Sequence, residues 1–137
     1  MDGKCLCGKI TLSTPDRSNL DACHCGMCRR WGGGPALMIA CGSAVQIDGV
    51  DRLKMYKSSE WAERAFCGEC GTHIFYRLLP SNEYYLPAGL FQDDGIEFEF
   101  KEQIFIDIKP SYYEFANQTL NMTEAEVFAK FAPSEEV

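Results

Sequence analysis

Seven of the eight cysteines in this 137-residue chain fall into three short clusters. The first cluster is Cys5-Leu6-Cys7, the second is Cys23-His24-Cys25-Gly26-Met27-Cys28, and the third is Cys67-Gly68-Glu69-Cys70. Cysteines that are one or two residues apart are better placed to share a metal ion than to form disulfides with each other. The clusters therefore predict a chain that folds around bound metal.

Long apolar segments would direct the chain to a membrane or to export, and the compartment decides whether its cysteines are reduced or form disulfides. No apolar run approaches the ~20 residues of a membrane helix, and the first residues contain no stretch that resembles a signal peptide. We therefore expect a cytoplasmic protein without a membrane partner. In that compartment thiols stay reduced and serve as metal ligands or as reactive groups.

The formal net charge of the chain is −7, and it becomes about −10 if four thiolates hold one Zn²⁺ and three thiolates hold another. A surface this acidic disfavours the wrapping of nucleic acid and the binding of anionic lipid. We therefore expect no nucleic-acid partner. The sequence indicates no particular oligomeric state.

Zinc prefers four ligands, which limits how the three clusters can combine. Joining the first and third clusters gives a closed four-thiolate site of the structural type, and it leaves the second cluster as a three-thiolate site. Three protein ligands with one open position are the pattern of catalytic zinc. Two alternatives stay open: Cys23 and Cys28 also make a four-thiolate site with the third cluster, and thiolates also hold iron–sulfur clusters, although the ferredoxin spacings are absent.

Other residues near the clusters have more than one interpretation. Cys41 stands alone in an apolar stretch, which is typical of a buried, inert thiol and less so of a fourth ligand for the open site. His24 lies between two ligands and should point away from the metal. His73 is expected to pack in the core or to bond the backbone rather than to line a pocket. Arg29 and Arg30 either meet an acidic substrate or offset thiolate charge.

Short apolar runs separated by glycine turns predict a mainly β fold for a single domain over residues 1–137. Strands are predicted over residues 10–14, 36–41, 45–47, 53–56, 64–67, 74–76, 84–86 and 104–106. Thr123 and Glu126 form a capping box at the start of a short C-terminal helix. We expect at most one helical turn after the second cluster and a short helical turn over residues 112–115. The late aromatic residues are expected in the core; they are Phe98, Phe100, Phe105, Tyr112 and Phe115.

The clusters and their neighbours resemble the glutathione-dependent formaldehyde-activating enzyme and centromere protein V family. The motifs that carry the resemblance are Cys5-x-Cys7-Gly8, Cys23-His24-Cys25-x₂-Cys28-Arg29 and Phe66-Cys67-x₂-Cys70-Gly71. The resemblance implies an Mss4-like fold, in which zinc holds short antiparallel strands together. It also implies a closed structural zinc and a second zinc; the closed set is Cys5, Cys7, Cys67 and Cys70, and the second set is Cys23, Cys25 and Cys28.

The same resemblance implies a zinc-dependent carbon–sulfur lyase. Members of the family are expected to join glutathione and formaldehyde to S-hydroxymethylglutathione, so the implied partner is a small thiol such as glutathione, and the implied catalytic residues are Cys23, Cys25 and Cys28. The sequence contains no residue signature that specifies glutathione. One alternative is a zinc-stabilised binding module without catalysis, and another is nucleic-acid binding through zinc, which the acidic charge disfavours.

Overall fold

The computed structural model of the protein describes residues 1–93 and 95–131. Within these ranges the chain forms short strands and two α-helices, α1 (Gly26–Gly32) and α2 (Glu124–Phe131). The strands are β1 (Asp2–Lys4), β2 (Thr11–Ser13), β3 (Asn19–Cys23), β4 (Ala36–Gly42), β5 (Gln46–Asp48), β6 (Leu53–Tyr56), β7 (Ala62–Cys67), β8 (His73–Leu78), β9 (Glu83–Pro87), β10 (Glu99–Ile104) and β11 (Leu120–Met122). Among the described residues, no helix is long and apolar enough to cross a lipid bilayer.

The chain divides into two compact units. The first contains Met1–Asn19 and Met38–Glu99, and the second contains Leu20–Leu37 and the chain from Phe100 onward, described as far as residue 131. In the first unit β1, β2 and β5 form one antiparallel sheet, and β4, β9, β8, β7 and β6 pair as antiparallel neighbours in that order. In the second unit the order is β11, β10, β3, with β11 parallel to β10. The predicted mainly β fold with a short C-terminal helix is therefore confirmed.

The core of the first unit follows from the alternation of apolar side chains along its strands. Ile39 on β4 lies opposite Leu86 on β9, and neither side chain has any exposed surface. Ala65 on β7 lies opposite the buried Phe75 on β8. Full burial of a side chain as large as leucine contributes about 1.5–3 kcal/mol. The same strand β7 ends at Cys67, which is completely buried, so the core also fixes one cysteine of the third cluster.

The second unit has far fewer fully buried apolar side chains than the first. Its buried side chains in the described residues are Ala22, His24, Gln103 and Val127. Two of these four are polar, and a polar group is buried at a cost unless it has a hydrogen-bond partner. The hydrogen bonds of these two buried polar side chains are therefore needed for the order of this unit.

Helix α1 is longer than the single turn predicted from the sequence, since it covers Gly26–Gly32. It begins where the Cys25 sulfur accepts a hydrogen bond from the Cys28 backbone N–H at 3.3 Å. It ends at Gly33, which has a φ of +86° and donates its N–H to the Arg29 carbonyl. A left-handed residue after the last turn is the usual glycine stop for a helix.

The region after β10 differs from the prediction in three ways. The strand predicted over residues 104–106 is wrong beyond Ile104, because Phe105 adopts a left-handed φ of +58° and a short 3₁₀ helix follows over Ile106–Ile108. No helical turn forms over residues 112–115, where Tyr113 is held by tertiary contacts. Tyr112 is 72% exposed and does not belong to the core.

The capping box of α2 is confirmed. The Glu126 N–H donates to the Thr123 hydroxyl at 3.2 Å, and the Glu126 carboxylate accepts from the Thr123 N–H at 3.0 Å. Phe105 packs edge-on against Phe128 of this helix, with ring centroids 5.8 Å apart. The sequence analysis missed β1, β3 and β11. Strands β1 and β11 have only three residues each, and none of the three strands shows a clear alternation of apolar side chains.

Candidate metal centres

Four cysteine sulfurs meet in the first unit, and we call them the closed group: Cys5, Cys7, Cys67 and Cys70. Their Sγ atoms all lie within 4.8 Å of one another. Cys7 Sγ is 3.5 Å from Cys5 Sγ and 3.8 Å from Cys67 Sγ. Four sulfurs bound to one zinc at ~2.3 Å are separated by ~3.8 Å in a tetrahedron. The spacing of the closed group therefore fits a four-thiolate metal site.

Two tight glycine turns bring these sulfurs together. Gly8 has a φ of +77° and donates its N–H to the Cys5 carbonyl at 3.0 Å. Gly71 has a φ of +81° and donates to the Cys67 carbonyl at 2.8 Å. A side chain with a Cβ is strained at such angles. Each glycine therefore lets its pair of cysteines turn their sulfurs to the same side.

Thr72 joins the two turns, and the sequence analysis missed it. Its hydroxyl accepts the Leu6 N–H at 3.0 Å and lies 3.1 Å from Cys70 Sγ, to which it can donate. The hydroxyl and the backbone of Thr72 together lower the pKa of the Cys70 thiol to about 5. The only signal in the sequence was a hydroxyl residue directly after the Cys-x₂-Cys-Gly turn. Thr72 therefore favours the thiolate form that a metal ligand requires.

We expect Thr72→Val to release the metal of the closed group to a chelator about 10-fold faster, because it removes the hydrogen bonds to Cys70 and to the Leu6 N–H. Thr72→Ser keeps the hydroxyl and is the matched control. The release rate is measured with a coloured zinc chelator under reducing conditions. Equal rates for the valine and serine variants would show that the hydroxyl has no role in metal retention.

Three further sulfurs meet in the second unit, and we call them the open group: Cys23, Cys25 and Cys28. All three Sγ atoms lie within 4.8 Å of one another, and Cys25 and Cys28 are half-buried. Cys23 ends β3, Cys25 caps α1, and Cys28 lies in the first turn of that helix. Among residues 1–93 and 95–131, no histidine, carboxylate or fourth cysteine joins this group.

The three thiols of the open group strongly influence one another's protonation. Hydrogen bonds with Cys23 and Cys28 lower the pKa of the Cys25 thiol to about 2. The same contacts with Cys25 and Cys28 raise the pKa of Cys23 well above its usual range. Three thiols this close can share one negative charge but resist carrying three, unless a cation lies among them. The donor set therefore fits a soft metal ion such as zinc.

His24 lies between two cysteines of the open group but turns its ring elsewhere. The ring is completely buried, and its nitrogens bond the Tyr113 hydroxyl at 2.7 Å and the Gln103 side-chain oxygen at 2.8 Å. Burial lowers the pKa of His24, so the ring is neutral near pH 7. The backbone carbonyl of His24 accepts from Arg29 Nε at 2.9 Å. The Nε–H group of Arg29 thus stabilises the backbone between Cys23 and Cys25.

The remaining candidates lie outside both groups. Cys41 is completely buried, contacts the Ile39 carbonyl at 3.5 Å, and has a pKa raised by burial, as expected of an inert core thiol. His73 is half-buried at the start of β8 opposite Phe66. Arg30 is exposed on α1. The structure therefore brings the seven clustered cysteines together in the groups of four and three that the count of zinc ligands favoured. Metal binding by these groups stays a prediction.

Short β-strands together with two convergent cysteine groups that could hold metal define this chain as a candidate metalloprotein of a mainly β class. A family model described as "Glutathione-dependent formaldehyde-activating enzyme" matches residues 1–108. The chain belongs to this family. The match contains all seven clustered cysteines.

Two individual proteins are similar to the chain over most of its length. An uncharacterized lyase of Schizosaccharomyces pombe is 37% identical over 129 residues, which is 92% of this chain and 93% of the relative. A crystal structure of a Rhodobacter sphaeroides protein superposes with a TM-score of 0.59 at 20% identity, and it covers 72% of this chain and 100% of its own. The structural similarity supports the fold alone.

Proposed function

We propose that the protein is a zinc-dependent carbon–sulfur lyase that acts on the thiol adduct of a small aldehyde, with glutathione and formaldehyde as the first candidates. Family membership and a relative named as a lyase support the reaction class. We further propose that the closed group holds a structural zinc and that the open group holds a second, exchangeable zinc. A reducing cytoplasm, where the seven thiols stay available for metal, is the compartment we propose.

The observation that carries the proposal is the convergence of three sulfurs, rather than four, in the open group. Three protein ligands leave one of the four positions that zinc prefers for an atom of the substrate. Zinc held there would favour the thiolate of a bound thiol or polarise a carbonyl oxygen. The closed group has four sulfurs and would leave no such position.

The proposed reaction needs little beyond orientation and charge. The thiol sulfur attacks the carbonyl carbon, a carbon–sulfur bond forms, the π electrons of the carbonyl move to oxygen, and the proton lost by the thiol ends on that oxygen. The reverse reaction breaks the same bond. Cys23, Cys25 and Cys28 are the proposed metal ligands. Arg30 is exposed on α1, the helix that contains Cys28, and is available to pair with a carboxylate of an acidic thiol.

We expect two zinc ions per chain in protein purified without chelator under reducing conditions. Mild chelation should remove one of them, because a three-ligand site holds metal less tightly than a closed one. The rate of adduct formation from glutathione and ¹³C-formaldehyde, followed by NMR, should fall with that loss and recover when zinc is added back. S-methylglutathione, which lacks the free thiol, is the control substrate.

A single chelator-resistant zinc with no acceleration of the reaction would contradict the proposal. That outcome would instead support a zinc-stabilised binding module. Two zinc ions per chain without any acceleration of adduct formation would support both proposed metal sites but exclude glutathione and formaldehyde as the substrates. Other thiols and aldehydes would then be screened with the same assay.

A further inference from the structure

His24 is held at every polar group it possesses. Its backbone N–H and C=O and both ring nitrogens each have a partner, and every partner lies in the second unit. These partners are the Ile104 carbonyl at 3.1 Å, Arg29 Nε at 2.9 Å, the Tyr113 hydroxyl at 2.7 Å and Gln103 Oε1 at 2.8 Å. Because His24 is covalently between Cys23 and Cys25, these bonds fix the backbone that carries two sulfurs of the open group.

The hydrogen bonds of the His24 ring have a defined direction. Gln103 Nε2 donates to the Thr119 hydroxyl at 3.0 Å, so Gln103 Oε1 is the atom that faces His24. His24 Nε2 therefore carries the proton and donates, and Nδ1 accepts from the Tyr113 hydroxyl. The chain ends where Thr119 donates to Asn121 Oδ1 at 2.7 Å. Each hydrogen bond along this chain pairs one donor with one acceptor, which favours one orientation of the ring.

The burial pattern makes these contacts important for the second unit. His24 and Gln103 are half of the buried side chains in its described residues, and the apolar ones are the small Ala22 and Val127. Aromatic packing also occurs here, with the Phe115 ring centroid 6.1 Å from that of His24, but it does not pair the polar atoms of the buried ring. A fully satisfied polar network specifies one arrangement, while a network with a missing partner leaves a costly unpaired group.

We propose that His24, Gln103 and Tyr113 are positioning residues that hold residues 23–28 in the conformation in which the three sulfurs converge before a metal binds. The inference rests on the metal site of the proposed function and assigns residues that would not touch the metal. Loss of a residue that orients a metal ligand by a hydrogen bond, without touching the metal itself, typically changes metal affinity about 10- to 100-fold. The first test therefore measures affinity and ligand geometry at the open group.

The chain offers two neighbouring tyrosines for this test. Tyr113→Phe removes the hydroxyl that bonds His24, whereas Tyr112→Phe removes a hydroxyl from a 72% exposed side chain. Protein that keeps its chelator-resistant zinc is titrated with Co²⁺, and the sulfur-to-cobalt absorption and the visible bands are recorded. We expect Tyr113→Phe to weaken Co²⁺ binding about 10- to 100-fold and to alter the visible bands. Tyr112→Phe should match the wild type.

Substitutions of Gln103 separate orientation of the ring from general stability. Gln103→Leu removes the acceptor for His24, and Gln103→Glu retains an acceptor oxygen at that place. We expect the leucine variant to lose affinity as Tyr113→Phe does and the glutamate variant to recover most of it. Wild-type affinity and visible bands in both Tyr113→Phe and Gln103→Leu would overturn the inference.

A metal-free measurement distinguishes this inference from the proposed function. If the wild-type open group takes up no Co²⁺, the proposed function fails, and the positioning role is judged from amide hydrogen exchange over residues 23–30 in chelator-treated protein. We expect exchange there to be at least about 10-fold faster in Tyr113→Phe than in Tyr112→Phe, as for any segment that loses a buried hydrogen bond. Equal exchange rates in the two variants would refute the positioning role.

Discussion

Replacement of Cys25 by serine is expected to lower the proposed lyase activity by at least about 100-fold, because it removes one of only three protein ligands at the open group. The serine hydroxyl can still accept the Cys28 N–H that Cys25 Sγ now accepts at 3.3 Å, so α1 keeps its cap. The loss should therefore come from the metal site and not from the helix. Zinc per chain should fall by one, and the NMR assay with glutathione and ¹³C-formaldehyde measures the rate.

The control for Cys25→Ser is Cys41→Ala. Cys41 is also a free cysteine, and it lies in neither group. Its replacement should leave both the zinc content and the rate unchanged. A Cys25→Ser protein with full zinc content and full activity would show that the role proposed for Cys25 is wrong.

Cys67→Ala should have the largest effect on the fold. Cys67 is completely buried at the end of β7 and belongs to the closed group. Its loss leaves only three sulfurs for a metal ion that prefers four ligands. Structural zinc contributes about 10–16 kcal/mol in zinc-finger peptides, which is comparable to the ~5–15 kcal/mol that stabilises a typical domain. We expect the variant to lose its chelator-resistant zinc and to unfold without a cooperative transition in urea.

Cys41→Ala serves again as the matched variant, since both cysteines are fully buried in the first unit. It removes a similar core sulfur but no metal ligand, and it should lower the free energy of unfolding by only about 1–2 kcal/mol. Circular dichroism during urea unfolding, with zinc measured on the same samples, compares the two. Similar losses in both variants would mean that Cys67 contributes only as a packed core residue.

The sequence by itself determined the features that depend on neighbouring residues. Cysteines separated by one or two residues, with a glycine after the first and the third cluster, indicated turns that present sulfurs together, and counting ligands favoured the grouping that the structure contains. The mainly β fold and the capping box of α2 follow from the same local patterns. A lone cysteine in an apolar stretch indicated correctly that Cys41 is buried.

The tertiary structure alone decided which residues support the sulfurs. Leu6 and Thr72 are 66 positions apart, His24 and Gln103 are 79 apart, and His24 and Tyr113 are 89 apart. None of these pairs leaves a periodic signal, since each contact depends on strand pairing and on where a loop returns. The exposure of Tyr112 beside the partly buried Tyr113 was set in the same way. The spacing of the cysteines is a property of the local backbone. The hydrogen bonds that hold the cysteine-bearing segments in place come from residues distant in sequence, so they form only after those segments have packed together.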